Sequence, residues 1–122
     1  METILIVDDD RDIRDLLATA LSIEGWATLN TESLLGALAI LQQSPQVHCI
    51  LLDYNLPGMP LEEFVKQVHA LVPAVQIILI SAADHVAEKA KKFGFKYYLA
   101  KPIDFDELRR IIASLSSPRE QK

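Results

Sequence analysis

The chain has 122 residues, half of them apolar and 24% charged, with a formal net charge of −5. That length fits one domain with room for a core, and the mix is an ordinary water-exposed globular one. No apolar run approaches the length of a membrane span, and Met1-Glu2, with acid by residue 8, offers no basic, apolar leader. The single cysteine, Cys49, lies inside an apolar run and is expected as a buried reduced thiol. Together these features suggest a cytoplasmic protein.

The charge is unevenly spread. Residues 1–63 hold 11 acids against Arg11 and Arg14, whereas residues 64–122 hold 10 Lys or Arg against 6 acids. The acidic half argues against nucleic-acid binding by the whole surface. The basic half is densest at Lys89, Lys91, Lys92 and Lys96, either a solvated helix face or a docking face for an acidic or self-complementary partner.

In chain order, five short apolar runs alternate with five helical patterns. The first run, Thr3–Val7, is almost continuously apolar and ends on Asp8-Asp9-Asp10. Ile13, Leu16, Leu17, Ala20 and Leu21 then form one helical stripe, closed by Gly25. Trp26–Leu29 is weaker and more polar, as suits an edge strand with Trp26 part of the core margin. Leu34, Ala37, Leu38 and Leu41 mark a second helix ending near Ser44-Pro45. His48–Leu52 is a third strand, ending on Asp53, and Pro57-Gly58 is a turn signal. Pro60 opens a third helix carrying Leu61, Phe64, Val65, Val68 and Leu71, which stops before Pro73. Val75–Ile80 is the fourth strand, ending on Ser81 and Ala82. Residues 84–93 give the least amphipathic helix, with Val86, Ala87, Ala90 and Phe93 between lysines and Gly94 behind. Tyr97–Ala100 is the fifth strand, ending on Lys101-Pro102. Asp104 and Glu107 resemble a capping box ahead of a fifth helix over about 105–115 with Leu108, Ile111, Ile112 and Leu115. Residues 1–115 are thus expected as one domain, and 116–122 as a polar tail or the start of a linker.

Strict alternation of strand and helix predicts an α/β domain, a doubly wound parallel five-stranded sheet with helices on both faces. Ligands of such sheets sit outside the carboxyl ends of the strands. Applied here, the rule gathers Asp8-Asp9-Asp10, Asp53, Ser81 and Lys101 at one edge, although they lie far apart in the chain. Two or three carboxylates with a backbone carbonyl make a hard, oxygen-rich site suited to Mg²⁺. A carboxylate beside such an ion can attack phosphorus and form an acyl phosphate. Lys101 would neutralise another phosphoryl oxygen, and the Ser81 hydroxyl could donate to a third.

With those residues assembled, the chain resembles a receiver domain of a two-component response regulator, of the CheY-like superfamily, over essentially its whole length. The matching segments are Ile4–Asp10, Ile50–Met59, Ile78–Ala82 and Tyr98–Pro102, in order and each at a strand end. The resemblance implies a flavodoxin-like (βα)5 sheet of strand order 2-1-3-4-5. It implies that Asp53 is the phosphoacceptor, that Asp9 binds Mg²⁺ (or Mn²⁺) directly and that Asp8 belongs to the metal site, directly or through water. It further implies the Asn55 carbonyl as a metal ligand, Ser81 as a switch hydroxyl and Tyr98 as the aromatic switch. Lys101 becomes the phosphate partner, and Lys101-Pro102 a cis peptide. The implied donor is a sensor histidine kinase or phosphotransfer protein. The implied output is a face of helix 4, strand 5 and helix 5 for an effector or dimer partner, with neither nucleic acid nor membrane bound directly. Such a domain catalyses its own phosphorylation and slow dephosphorylation without being a conventional enzyme. Three departures stand out: Phe95 after Gly94 and Ile103 after Lys-Pro, both unusual for the family, and Ala83, which lacks a side chain that often tunes dephosphorylation.

Plainer readings compete at single positions. Asp53 could be a turn residue, Asp10 a helix-start acid, Lys101 a surface lysine, and Tyr97 could replace Tyr98 if the strand register slips by one. His48, His69 and His85 show no metal-ligand spacing and read as incidental. Two other functions are weighed. Asp8-x-Asp10 imitates a haloacid-dehalogenase-like phosphatase, but Arg11 and Asp12 do not continue that motif. A flavodoxin-type cofactor binder shares the fold, but an acidic first loop would repel its phosphate.

Overall fold

The computed structural model describes residues 2–82 and 84–120. Five strands and five helices alternate: β1 (Thr3–Val7), α1 (Arg11–Ile23), β2 (Ala27–Thr31), α2 (Leu34–Gln43), β3 (Cys49–Asp53), α3 (Leu61–Leu71), β4 (Gln76–Ala82), α4 (Val86–Lys92), β5 (Tyr97–Lys101) and α5 (Phe105–Glu120). The strands form one parallel sheet in the order β2-β1-β3-β4-β5, as the sequence resemblance implied.

The side-chain alternation of the strands divides the core in two. Ile4, Ile6, Cys49, Leu51, Ile78, Ile80 and Leu99 pack toward α1 and α5. Leu5, Val7, Ile50, Leu52 and Ile77 pack toward α2 and α3. Covered on both faces, β1 and β3 read in sequence as continuous apolar runs. α4 lies against β4 and β5 through Val86 and Ala90, both buried.

Local chemistry sets the helix starts. Asp10 caps α1, its Oδ1 accepting from the backbone N–H groups of Asp12 at 2.9 Å and Ile13 at 3.4 Å. Ser33 caps α2 through the Gly36 N–H at 2.9 Å. Asp104 caps α5 through Asp106 and Glu107. Several boundaries move from their expected places. α4 begins only at Val86, because the His85 backbone stands in the left-handed region with φ 71° and cannot continue a helix backwards. α5 runs on to Glu120, past the expected end near 115. β2 starts at Ala27, leaving Trp26 to stack on His48 with ring centroids 5.7 Å apart. His48 Nε2 also lies 3.5 Å from Glu2 Oε1, so this histidine is packed at the amino edge of the sheet. Leu16, expected in the α1 stripe, is 57% exposed. The stripe narrows to Leu17 and Leu21, and Leu16 instead borders a groove with Ile13, Ile103 and Phe105.

Candidate functional site: an acidic pocket at the carboxyl edge of the sheet

β1 and β3 are adjacent and in register, Val7 beside Leu52, so the residues that follow emerge side by side. Asp8 and Asp53 are 2% and 4% exposed, an unusual depth for two carboxylates. Lys101, at the end of β5, reaches across β4 and places Nζ 3.4 Å from both Asp8 Oδ2 and Asp53 Oδ1. At that length the contacts are ion pairs, not close hydrogen bonds. Asp8 Oδ2 and Asp53 Oδ1 accept no hydrogen bond among the described residues. The other Asp8 oxygen accepts from the Asp10 N–H at 2.9 Å.

One lysine therefore faces two buried carboxylates, and the pocket remains electron-rich. Burial pushes the Asp53 carboxyl up from its ordinary range and the Asp8 charge adds to the rise, while Lys101 and the Asn55 backbone N–H pull against it. Burial alone would lower the Lys101 ammonium; Asp53 and Asp8 outweigh it and hold it above the ordinary lysine value.

Asp9, exposed at the rim, completes a cluster with Asp8 and Asp53 in which one oxygen from each lies within 4.8 Å of the others. Three hard oxygen donors, two of them buried and short of hydrogen bonds, are what a small divalent cation satisfies. Asn55 lines the adjoining cleft of ≈ 380 Å³ with Asp53, Tyr54, Met59, Glu62 and Phe93. Ser81, buried on β4, lies opposite Ala100, and Ala82 opposite Lys101. The Lys101–Pro102 peptide is cis, as expected.

The sequence-nominated residues thus share one edge, with one outlier. Tyr98 pairs in register with Leu79 and its side chain is 41% exposed, outside the acidic pocket. Tyr97 packs instead against the α1/α5 side of the core, so the two tyrosines take opposite faces of β5. Asp10, nominated as a helix-start acid, is the α1 cap. Ala83 lies outside the described residues.

Three neighbours escaped sequence reasoning. Arg14 Nη1 donates to the Asp8 carbonyl oxygen at 2.8 Å, steadying the loop from α1. Tyr54, directly after Asp53, is fixed by its N–H bond to the Ile80 carbonyl at 2.8 Å. Lys89, read in the sequence as part of either a solvated or a docking face, turns toward the strand ends. Its Nζ donates to Ser81 Oγ at 3.2 Å and sits 4.2 Å from the Tyr54 ring centroid. No sequence motif marks Lys89; only its place one turn after Val86 on a helix crossing the β4 end could have suggested it.

Buried paired carboxylates, a bridging lysine and a strand-end hydroxyl on a 2-1-3-4-5 sheet define a class. The chain belongs to the response regulator receiver domain family, which it matches over residues 4–113. Among curated relatives it is similar to sporulation initiation phosphotransferase F of Bacillus subtilis, 34% identical over 111 residues that cover 88% of each chain. It is also 34% identical to the response regulator protein PilR of Pseudomonas aeruginosa, covering 90% of this chain but 25% of that one. Among solved structures, response regulator TrrA of Thermotoga maritima, in complex with Mg²⁺ and BeF, superposes with a TM-score of 0.81 at 29% identity, covering 94% of this chain and 99% of that one. A CheY-like receiver domain protein from Methanospirillum hungatei gives 0.82 at 26% identity, covering 100% and 99%.

Proposed function

We propose that Asp53 is the phosphoacceptor of a Mg²⁺-dependent signalling switch. The observation that carries this reading is the pair of buried carboxylate oxygens, on Asp8 and Asp53, that share one lysine and have no hydrogen-bond donor among the described residues. Asp8, Asp9, Asp53 and the Asn55 carbonyl would hold the metal, Mg²⁺ or Mn²⁺, which when bound neutralises phosphoryl oxygens and polarises phosphorus. An Asp53 oxygen attacks phosphorus, a P–O bond to the carboxyl forms to give an acyl phosphate, and the bond to the donor breaks with its electron pair leaving on the donor. Lys101 moves with the charge, pairing a phosphoryl oxygen in place of the carboxylate it now faces. Ser81 donates its hydroxyl to another oxygen, and Tyr98 turns from its exposed position toward the space behind Ser81. Water later hydrolyses the acyl phosphate, releasing inorganic phosphate and restoring the Asp53 carboxylate, so the domain turns itself off.

The donor is a histidine kinase or phosphotransfer protein. The changed face comprises α4, β5 and α5 and meets an effector or a second copy, in the cytoplasm and without direct contact to nucleic acid or membrane. No helix among the described residues is long and apolar enough to cross a membrane. Within the chain, residues 1–115 are assigned to the receiver domain and 116–122 to a polar tail or the start of a linker.

The test is direct. Incubation with acetyl phosphate and Mg²⁺ adds a single labile phosphoryl mass to the wild type, and none to Asp53→Asn. Loss of labelling when EDTA replaces Mg²⁺ is expected as well; metal-independent labelling would sink the reading.

A further inference from the structure

The Lys89 contacts go beyond the roles given to Ser81 and Lys101, though they rest on the reading of Asp53 as acceptor. A lysine ammonium has donors and no acceptor, so the 3.2 Å contact runs from Lys89 Nζ to a lone pair of Ser81 Oγ. A serine hydroxyl keeps its own hydrogen when it accepts in this way. Among the described residues that hydrogen meets no acceptor. Ser81 lies on β4, the strand beside β3, whose last residue is Asp53. The hydroxyl is thus polarised by a cation on one side and free to donate on the other.

The same ammonium lies 4.2 Å from the Tyr54 ring centroid, and that ring leans on Phe93 at 6.3 Å. Lys89 therefore touches the residue after the acceptor and the penultimate residue of the next strand at once. A solvated lysine would not be held by two specific partners. Lys91 is exposed, Lys96 lies over the Tyr97 ring at 5.5 Å, and Lys92, which lines the cleft beside Asp53, lies over the Phe93 ring at 5.5 Å; Lys89 is the member of the basic cluster that bonds the Ser81 hydroxyl.

We propose that Lys89 is a positioning residue for phosphoryl transfer: its ammonium, bonded to Ser81 Oγ and seated on Tyr54, aims and strengthens the Ser81 hydroxyl donor toward the phosphoryl group on Asp53. Donors polarised by a charged partner make stronger hydrogen bonds, and chains of such bonds reinforce one another. The chain Lys89–Ser81–phosphoryl also ties α4 to the modification, since α4 can shift only by breaking or carrying that contact.

A double-mutant cycle on the full chain tests this, with acetyl phosphate and Mg²⁺ and the labelling rate read by intact mass. Lys89→Met keeps the aliphatic stem and removes the charge, on a half-buried helix position that the core does not depend on. The expected result is a labelling rate lowered by about tenfold, a similar loss in Ser81→Ala, and no further loss in the double variant. Lys89→Arg restores most of the rate. In metal-free protein without donor, the Ser81 amide resonance shifts in Lys89→Met and returns toward wild type in Lys89→Arg. A Lys89→Met rate equal to or above wild type overturns the proposal. So does an undiminished Lys89→Met effect in the Ser81→Ala background, or a Lys89→Arg variant no better than Lys89→Met. Wild type that takes up no phosphoryl group defeats the acceptor reading itself; wild type that labels while Lys89→Met labels equally defeats the Lys89 role alone.

Discussion

Asp53 illustrates how a functional site is held against folding. Its carboxyl is raised by burial first and by Asp8 second, with Lys101 in opposition. A carboxyl whose folded pKa lies above its unfolded value favours folding when protonated. That stability is present below the unfolded pKa and is lost as pH rises through the folded one. At neutral pH the ionised side chain therefore costs stability in metal-free protein. Asp53→Asn is predicted to stabilise the metal-free domain by about 1 kcal/mol at neutral pH, measured by urea unfolding in EDTA. The gain should shrink as pH falls into the carboxylate range, where wild-type Asp53 protonates. A gain that grows on acidification would contradict this sign. Cys49 is the opposite kind of residue: buried on β3, its thiol is pushed far up by desolvation. Alkylation at neutral pH is predicted only in denaturant, because thiolate is the reactive form.

At the scale of elements, the β2–α2 junction shows how tightly the helices are seated. Gly36 lies in the first turn of α2, where alanine would normally favour the helix by about 1 kcal/mol. A Cβ there would stand 2.2 Å from Thr31 Oγ1 and 3.0 Å from the capping Ser33 Oγ. Gly36→Ala is therefore predicted to destabilise by about 1–2 kcal/mol, and to lose that effect in a Thr31→Ala background. Thermal unfolding of the two singles and the double decides it; additive effects would be the contrary result. The same scale shows what the sequence could reveal. β1, β3, α2 and α3 were legible because burial on a definite face writes a period of two or 3.6 into the residues. α4 was legible, but its start lies two residues later than expected because it depends on the left-handed backbone of His85, which no side-chain pattern encodes. Leu16 was misjudged because an apolar stripe says which side faces inward, but not how wide the neighbouring element is. Asp8, Asp53 and Lys101 were legible from strand ends alone. Lys89 was not, since its meaning lies wholly in what it reaches across space.

The whole molecule combines an acidic carboxyl edge with a basic sequence half from α3 onward. A cation that binds the pocket would be coupled to folding. A ligand that binds only the folded state at 100 times its Kd adds about 2.7 kcal/mol of stability. Saturating Mg²⁺ is predicted to raise Tm in the wild type, and to do so far less in Asp9→Asn, which keeps the fold because Asp9 is exposed. An equal rise in both would remove Asp9 from the metal site. The chain spans 88% of the phosphotransferase relative but 25% of the response regulator protein PilR. Its own switch chemistry is accordingly the level at which function can be tested. The most direct measurement is to phosphorylate the chain with acetyl phosphate and Mg²⁺, reduce it with borohydride, and locate by peptide mass spectrometry the homoserine that replaces an acyl-phosphorylated aspartate. Homoserine at position 53 alone is the predicted result; homoserine at position 8 or 9, or at none, would contradict it.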